Sequence, residues 1–176
     1  RCSVIGGGKP KGICGSGLID AVAVLLEAGI LNKRGRILNE QQLDDQRVVY
    51  LTEEIYLTQD DIRQVQMAKG AICAGIKLMA EQLGIEMERI HRVLLAGAFG
   101  NYLQPSSACR IGLLPGELES KITAVGNAAG SGAKLLACDQ ENLKFVQFLT
   151  EEIEFLELAS LPHFAKTYAK EMSFRV

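Results

Sequence analysis

Three glycine-rich runs carry the residue types and spacing that could do chemistry. Two of them are Leu94-Leu95-Ala96-Gly97-Ala98-Phe99-Gly100 and Ala124-Val125-Gly126-Asn127-Ala128-Ala129-Gly130-Ser131-Gly132. Each passes from an apolar stretch into glycine and then into a helix-compatible segment. The third is Gly12-Ile13-Cys14-Gly15-Ser16-Gly17. A glycine directly after a strand lets the backbone approach a ligand with no Cβ in the way. The unpaired N–H groups of the helix start that follows attract phosphate or ribose oxygens. Open α/β sheets bind ligands at this edge. The expected chemistry is therefore nucleotide binding, with Gly97, Ala98, Phe99, Gly100, Gly126, Asn127, Ala128 and Gly130 as candidates, joined by Gly15, Ser16 and Gly17. No run matches a dinucleotide fingerprint or a P-loop. A structural role is the plainer reading of any single loop; two such loops after apolar strands favour a nucleotide.

Other candidates are weaker. Lys9 and Lys11 flank the glycines and could hold phosphate, although a solvated turn is the plainer reading. Asn101 and Tyr102 could touch a ligand or partner, or only pack. Ser106 and Ser107 read as a helix start. His91 and His163 are the only histidines, and neither stands beside a serine or cysteine in a nucleophile pattern. The five cysteines, Cys2, Cys14, Cys73, Cys109 and Cys138, are odd in number and widely spaced. That spacing argues against a disulfide scaffold, a zinc site and a cysteine-ligated iron–sulfur cluster within the chain. Three of them sit in apolar helical patterns, so buried inert thiols are the plainer reading, and no metal ligand set is assigned.

The elements that must position these loops follow from periodicity. The 176 residues, 48% hydrophobic and 23% charged, suffice for one domain with a core, residues 1–176. Lys+Arg (19) falls below Asp+Glu (21), which argues against nucleic acid, and no apolar run is long enough to span a membrane. The sequence predicts a strand at Cys2–Ile5 and a helix at Gly17–Ala28, apolar nearly all round, ended by Gly29. A hairpin of Val48–Leu51 with Ile55–Leu57 follows. A capping-box-like Thr58-Gln59-Asp60-Asp61 then opens a long amphipathic helix ended by Gly84. In that helix Gly70, Ala74 and Gly75 allow another backbone to come close. Buried strands are predicted at Ile90–Ala96 and Ile122–Val125. Helices are predicted at Pro105–Ile111, Asn127–Cys138 and from Asp139 to about Leu149. A strand at Ile153–Leu158 and a last helix to about Met172 complete an α/β fold with some antiparallel pairing.

Taken together, Gly12–Asp20, Leu94–Leu103, Ile111-Gly112-Leu113-Leu114-Pro115, Val125–Gly130 and the closing Leu161-Pro162-His163-Phe164 resemble one family across essentially the whole chain. The chain is similar to the C-terminal part of the ATP-dependent reductive activators of corrinoid proteins. That resemblance implies a ribonuclease-H-like lobe of the actin, heat-shock chaperone and sugar kinase ATPase superfamily, a mixed sheet flanked by helices. It implies that Leu94–Gly100 is the adenosine motif and Val125–Gly132 the second connecting motif. Such activators carry an N-terminal 2Fe-2S domain and use ATP with Mg to drive cobalt(II) to cobalt(I) in a corrinoid methyl-transfer protein. The chain begins at Arg1 and contains no Asp-x-Gly of the superfamily's first phosphate motif. The expectation is therefore a fragment, the second lobe of a cytoplasmic parent, inactive alone, with the upstream lobe and cluster elsewhere. Its partners would be that upstream lobe and a corrinoid protein, with a second copy as a further candidate. The alternatives are a nucleotide-sensing or docking module without turnover, and a lobe of a small-molecule kinase.

Overall fold

The computed structural model describes residues 2–39 and 41–175. Its elements are α1 (Gly15–Glu27), β1 (Gln42–Leu43), β2 (Gln46–Tyr50), β3 (Tyr56–Thr58), α2 (Gln59–Gln82), β4 (Val93–Ala96), α3 (Gly97–Tyr102), α4 (Pro105–Ile111), β5 (Ile122–Gly126), α5 (Ala128–Cys138), α6 (Gln140–Glu152) and α7 (Phe164–Glu171). The class is α/β. The strands divide between an antiparallel sheet, β1-β2-β3, and a parallel pair, β4-β5.

Local chemistry explains the long helix. The Thr58 hydroxyl accepts from the Asp61 backbone N–H at 3.1 Å, and the Asp61 carboxylate accepts from the Thr58 N–H at 2.8 Å. Both groups at the start of α2 are thus satisfied reciprocally. Ile62, Val65, Cys73, Ala74 and Leu78 form the buried stripe of α2. Ile62 and Val65 join a core made with Val22, Leu25 and Leu26 of α1, Ile111 of α4, Val49, Leu57 and Phe174. The glycines of α2 admit a neighbour as their positions suggest. A Cβ on Gly70 would stand 3.2 Å from the Met172 backbone nitrogen, and one on Gly75 would stand 3.2 Å from Leu158.

Several expectations need correction. Cys2–Ile5 is a loop, with the Gly7 N–H donating to the Val4 carbonyl at 3.0 Å, because Gly6, Gly7 and Gly8 all take positive φ and turn the chain at once. Ile153–Leu158 is not a strand either; its alternation finds no partner among the described residues, and Phe155 is 87% exposed. The pair β4-β5 is not covered on both faces, since Leu94 is 57% exposed. In α1, Val24 faces outward. Two elements were not expected. β1 pairs with β2 across a tight turn in which Asp44 and Asp45 both take positive φ. The run Gly97–Tyr102 is helical.

Candidate nucleotide site

The parallel pairing of β4 with β5 sets Ala96 opposite Gly126, so the two glycine turns leave the sheet side by side. Gly97 has φ +90° and Gly126 φ +71°. A Cβ at either position would meet nothing within 4 Å. The backbone requires glycine at both, and the space beside each is open. α3 starts directly at Gly97, and α5 starts two residues past Gly126, where the Asn127 side chain accepts from the Gly130 N–H at 2.9 Å.

The other glycines have packing roles. A Cβ at Gly100 would lie 3.0 Å from the Leu95 side chain, so Gly100 lets α3 fold back on β4. A Cβ at Gly130 would lie 2.6 Å from the Asn127 amide, so Gly130 makes room for the cap. Gly15 opens α1 against Phe99, whose ring would stand 2.8 Å from a Cβ there. Gly17 donates to the Cys14 thiol, which caps α1. Ser16 is buried, with its hydroxyl 3.4 Å from the Cys14 sulfur. The Ser16 hydroxyl bond and the Gly17 N–H hold the Cys14 thiol below its ordinary range. The third run is thus drawn to the Leu94–Gly100 run at Gly15 and Phe99. Ala98 and Ala128 lie in the first turns of α3 and α5.

Beside this junction lies a cavity of about 680 Å³ between α1, β3 and α2. Of the expected residues only Gly15 and Phe99 line it; Gly97 and Gly126 do not. Its walls are mainly apolar, from Ile13, Leu18, Ile55, Val65, Ala68 and Ile72, with Glu54, Asp61, Gln64 and Lys69 as the ionic and amide groups. The α2 wall was not expected at the site. Its sequence signal was the amphipathic stripe of α2 that includes Val65, Ala68 and Ile72, read as helix packing. Asp61 is already engaged by the cap. Lys9 and Lys11 are exposed and touch none of this. His163 stands just before α7, away from the cavity lining. Among the described residues no group of three His, Cys, Asp or Glu could hold a metal ion.

The profile of the C-terminal domain of RACo, the ASKHA domain, matches residues 1–176. The chain belongs to that family. It is 35% identical over 193 residues to the corrinoid activation enzyme RamQ of Eubacterium limosum, covering 98% of this chain and 32% of that protein. It is 28% identical over 170 residues to a [Co(II) methylated amine-specific corrinoid protein] reductase of Methanosarcina barkeri, covering 96% of this chain and 30% of that one. Among solved structures, a reductive activator for a corrinoid, iron–sulfur protein superposes with a TM-score of 0.81 at 32% identity, over 92% of this chain and 28% of its own. The chain thus spans about a third of the length of the curated relatives it matches. The expected fold class and family stand.

Proposed function

We propose that residues 1–176 form one domain, a nucleotide-binding lobe of an ATP-dependent reductive activator of a corrinoid protein. The observation that carries this is the pair of adjacent turns at Gly97 and Gly126, both with positive φ and both facing open space. A nucleotide laid across the ends of β4 and β5 meets backbone without obstruction. The cavity bounded by Gly15 and Phe99 offers an apolar recess next to it for the base. Gly97, Gly126 and the turn residues around them would hold ATP, which supplies binding and hydrolysis energy. The 2Fe-2S cluster is assigned to the longer parent, since the five cysteines here are free and scattered, with Cys73 and Cys109 buried, and magnesium would accompany ATP in that parent.

In that reading the lobe works by population shift. Nucleotide closes the lobe on its upstream partner, and the closed complex favours a bound corrinoid whose cobalt(II) accepts an electron more readily. The upstream lobe and the corrinoid protein are the proposed partners, with a second copy as a further one. The proposed setting is the cytoplasm; no helix among the described residues is long and apolar enough to cross a membrane. A small-molecule kinase would need a carboxylate and a substrate-binding loop at its cleft; the cavity offers Glu54, with Asp61 committed to the α2 cap, and the family match favours the activator reading. The test is hydrogen exchange of the longer protein with and without an ATP analogue. Slowed exchange in 94–100 and 124–132 is expected. Protection confined to other segments overturns the site.

A further inference from the structure

The most heavily buried charged group among the described residues is not in the glycine turns. Lys69, on α2, is 1% exposed. Its ammonium donates to the Glu171 carbonyl at 2.5 Å and to the Ser173 carbonyl, and lies 5.4 Å from the centre of the Phe174 ring. A Cβ on Gly112 would stand 3.2 Å from it, so the left-handed cap of α4 closes over the same amine. Around it the C-terminal segment is tied down repeatedly. Gln66 donates to the Met172 carbonyl at 3.0 Å, Lys77 reaches the Glu171 carboxylate at 2.5 Å, and the Phe174 N–H donates to the Lys33 carbonyl at 3.0 Å. Lys69 is also among the residues that line the 680 Å³ cavity, with Val65, Ala68 and Ile72 of the same helix. One residue therefore borders the cavity and grips the C-terminal segment at its tip.

We propose that Lys69 is a positioning residue: by clasping residues 171–174 it ties the C-terminal segment to the α2 wall of the cavity, so that filling the cavity and ordering that segment are coupled. The coupling to nucleotide rests on the reading given under Proposed function. The physical reason is local. If the segment undocks, the ammonium loses both carbonyl acceptors while still inside the core, an expensive state for a charge. Lys69 must then leave, and part of the wall leaves with it. The two arrangements, docked and undocked, form the bistable element that such coupling needs. By reciprocity, a ligand that needs the intact wall favours the docked segment by the same factor.

The test uses the longer protein and two readouts. In wild type, an ATP analogue should slow hydrogen exchange in 171–175 as well as in the glycine turns. Lys69→Met, which keeps the length but removes the donors, should speed exchange in both 65–72 and 171–175 and weaken analogue affinity by about tenfold, within the usual range of coupling factors. Gln66→Ala removes only the bond to Met172 and serves if the first variant does not fold; it should shift both segments in the same direction by less. Wild-type protein that binds the analogue with no change in 171–175, with variant affinities unaltered, overturns the proposal. If wild type binds no nucleotide, the assignment of the site fails. The latch is then decided by exchange alone: joint loosening of 65–72 and 171–175 supports it, and loosening of 171–175 alone refutes it.

Discussion

At the level of single residues, the glycines of the two turns do two different jobs. Gly97, Gly100, Gly126 and Gly130 look alike in a string of letters. Backbone sign and neighbouring space separate them, because Gly97 and Gly126 need positive φ beside open space while Gly100 and Gly130 accommodate packing. Gly97→Val in the longer protein should therefore abolish ATP-analogue binding and cost about 1–3 kcal/mol of stability through backbone strain. Paired measurement of thermal midpoint and affinity checks this; unchanged affinity would remove Gly97 from the site. The thiols divide in the same way by environment. Burial pushes Cys73 and Cys109 up to about 11, helped by the nearby Glu171 and Glu119 carboxylates respectively. The expectation of a buried Cys138 in α5 does not hold, since it is exposed with Cys2 and Cys14. Alkylation of folded protein near pH 8 should modify Cys14 first, then Cys2 and Cys138, and leave Cys73 and Cys109 until unfolding. Mass-spectrometric mapping over time reads the order, and early labelling of Cys73 would contradict it.

At the level of elements, periodicity and caps were legible wherever the signal was local. Thr58 and Asp61 marked the start of α2, and Asn127 and Asp139 marked α5 and α6. Thr58→Ala should cost about 1 kcal/mol, the usual value of an N-cap, measurable as a shift in denaturant midpoint. The errors fell where a partner decides. A strand exists only in a ladder, so the alternating Ile153–Leu158 and the apolar Cys2–Ile5 could not become strands without one. The helical Gly97–Tyr102 was hidden by its glycines, which read as loop. Small residues announced a neighbour on α2, but that α7 is the neighbour was invisible because the contact joins positions about a hundred residues apart, through Glu171. Burial tends to raise that carboxyl, but hydrogen bonds from Lys77 and Cys73 and the Lys77 and Arg175 charges outweigh it and hold it below its ordinary value of 4.5. A depressed carboxyl contributes stability that is fully present above its unfolded value and is lost as pH falls through its folded one. Acid should thus release α7 in the range below about pH 4.5. Glu171→Gln should lower the midpoint at pH 7 and flatten its acid dependence; an unchanged acid limb would show that the carboxylate is not the group responsible.

At the level of the whole molecule, stability is unevenly distributed. The core assembled by α1, α2, α4 and the C-terminal segment holds the fully buried side chains, including Val22, Ile62, Ile111 and Phe174. The second part, β5 with α5 and α6, buries little: no described residue of α5 is buried, and Leu135, Phe145, Phe148 and Ile153 are exposed. The caps Asn127 and Asp139 marked where these helices start, but the sequence could not say whether anything within the chain covers their apolar residues. The relatives are about three times longer, and the proposed upstream lobe is the natural cover. Segments with few buried apolar contacts open at lower free energy than the core. Residues 1–176 produced alone should therefore exchange amide hydrogens in 122–158 well before those in α1 and the first half of α2. The same chain should bind a hydrophobic dye through its open apolar faces. In the longer protein both signals should fall, with 122–158 gaining protection and dye binding lost. Equal protection across the isolated chain, or unchanged dye binding in the longer protein, would mean that these faces are solvent-stable as they stand and need no cover.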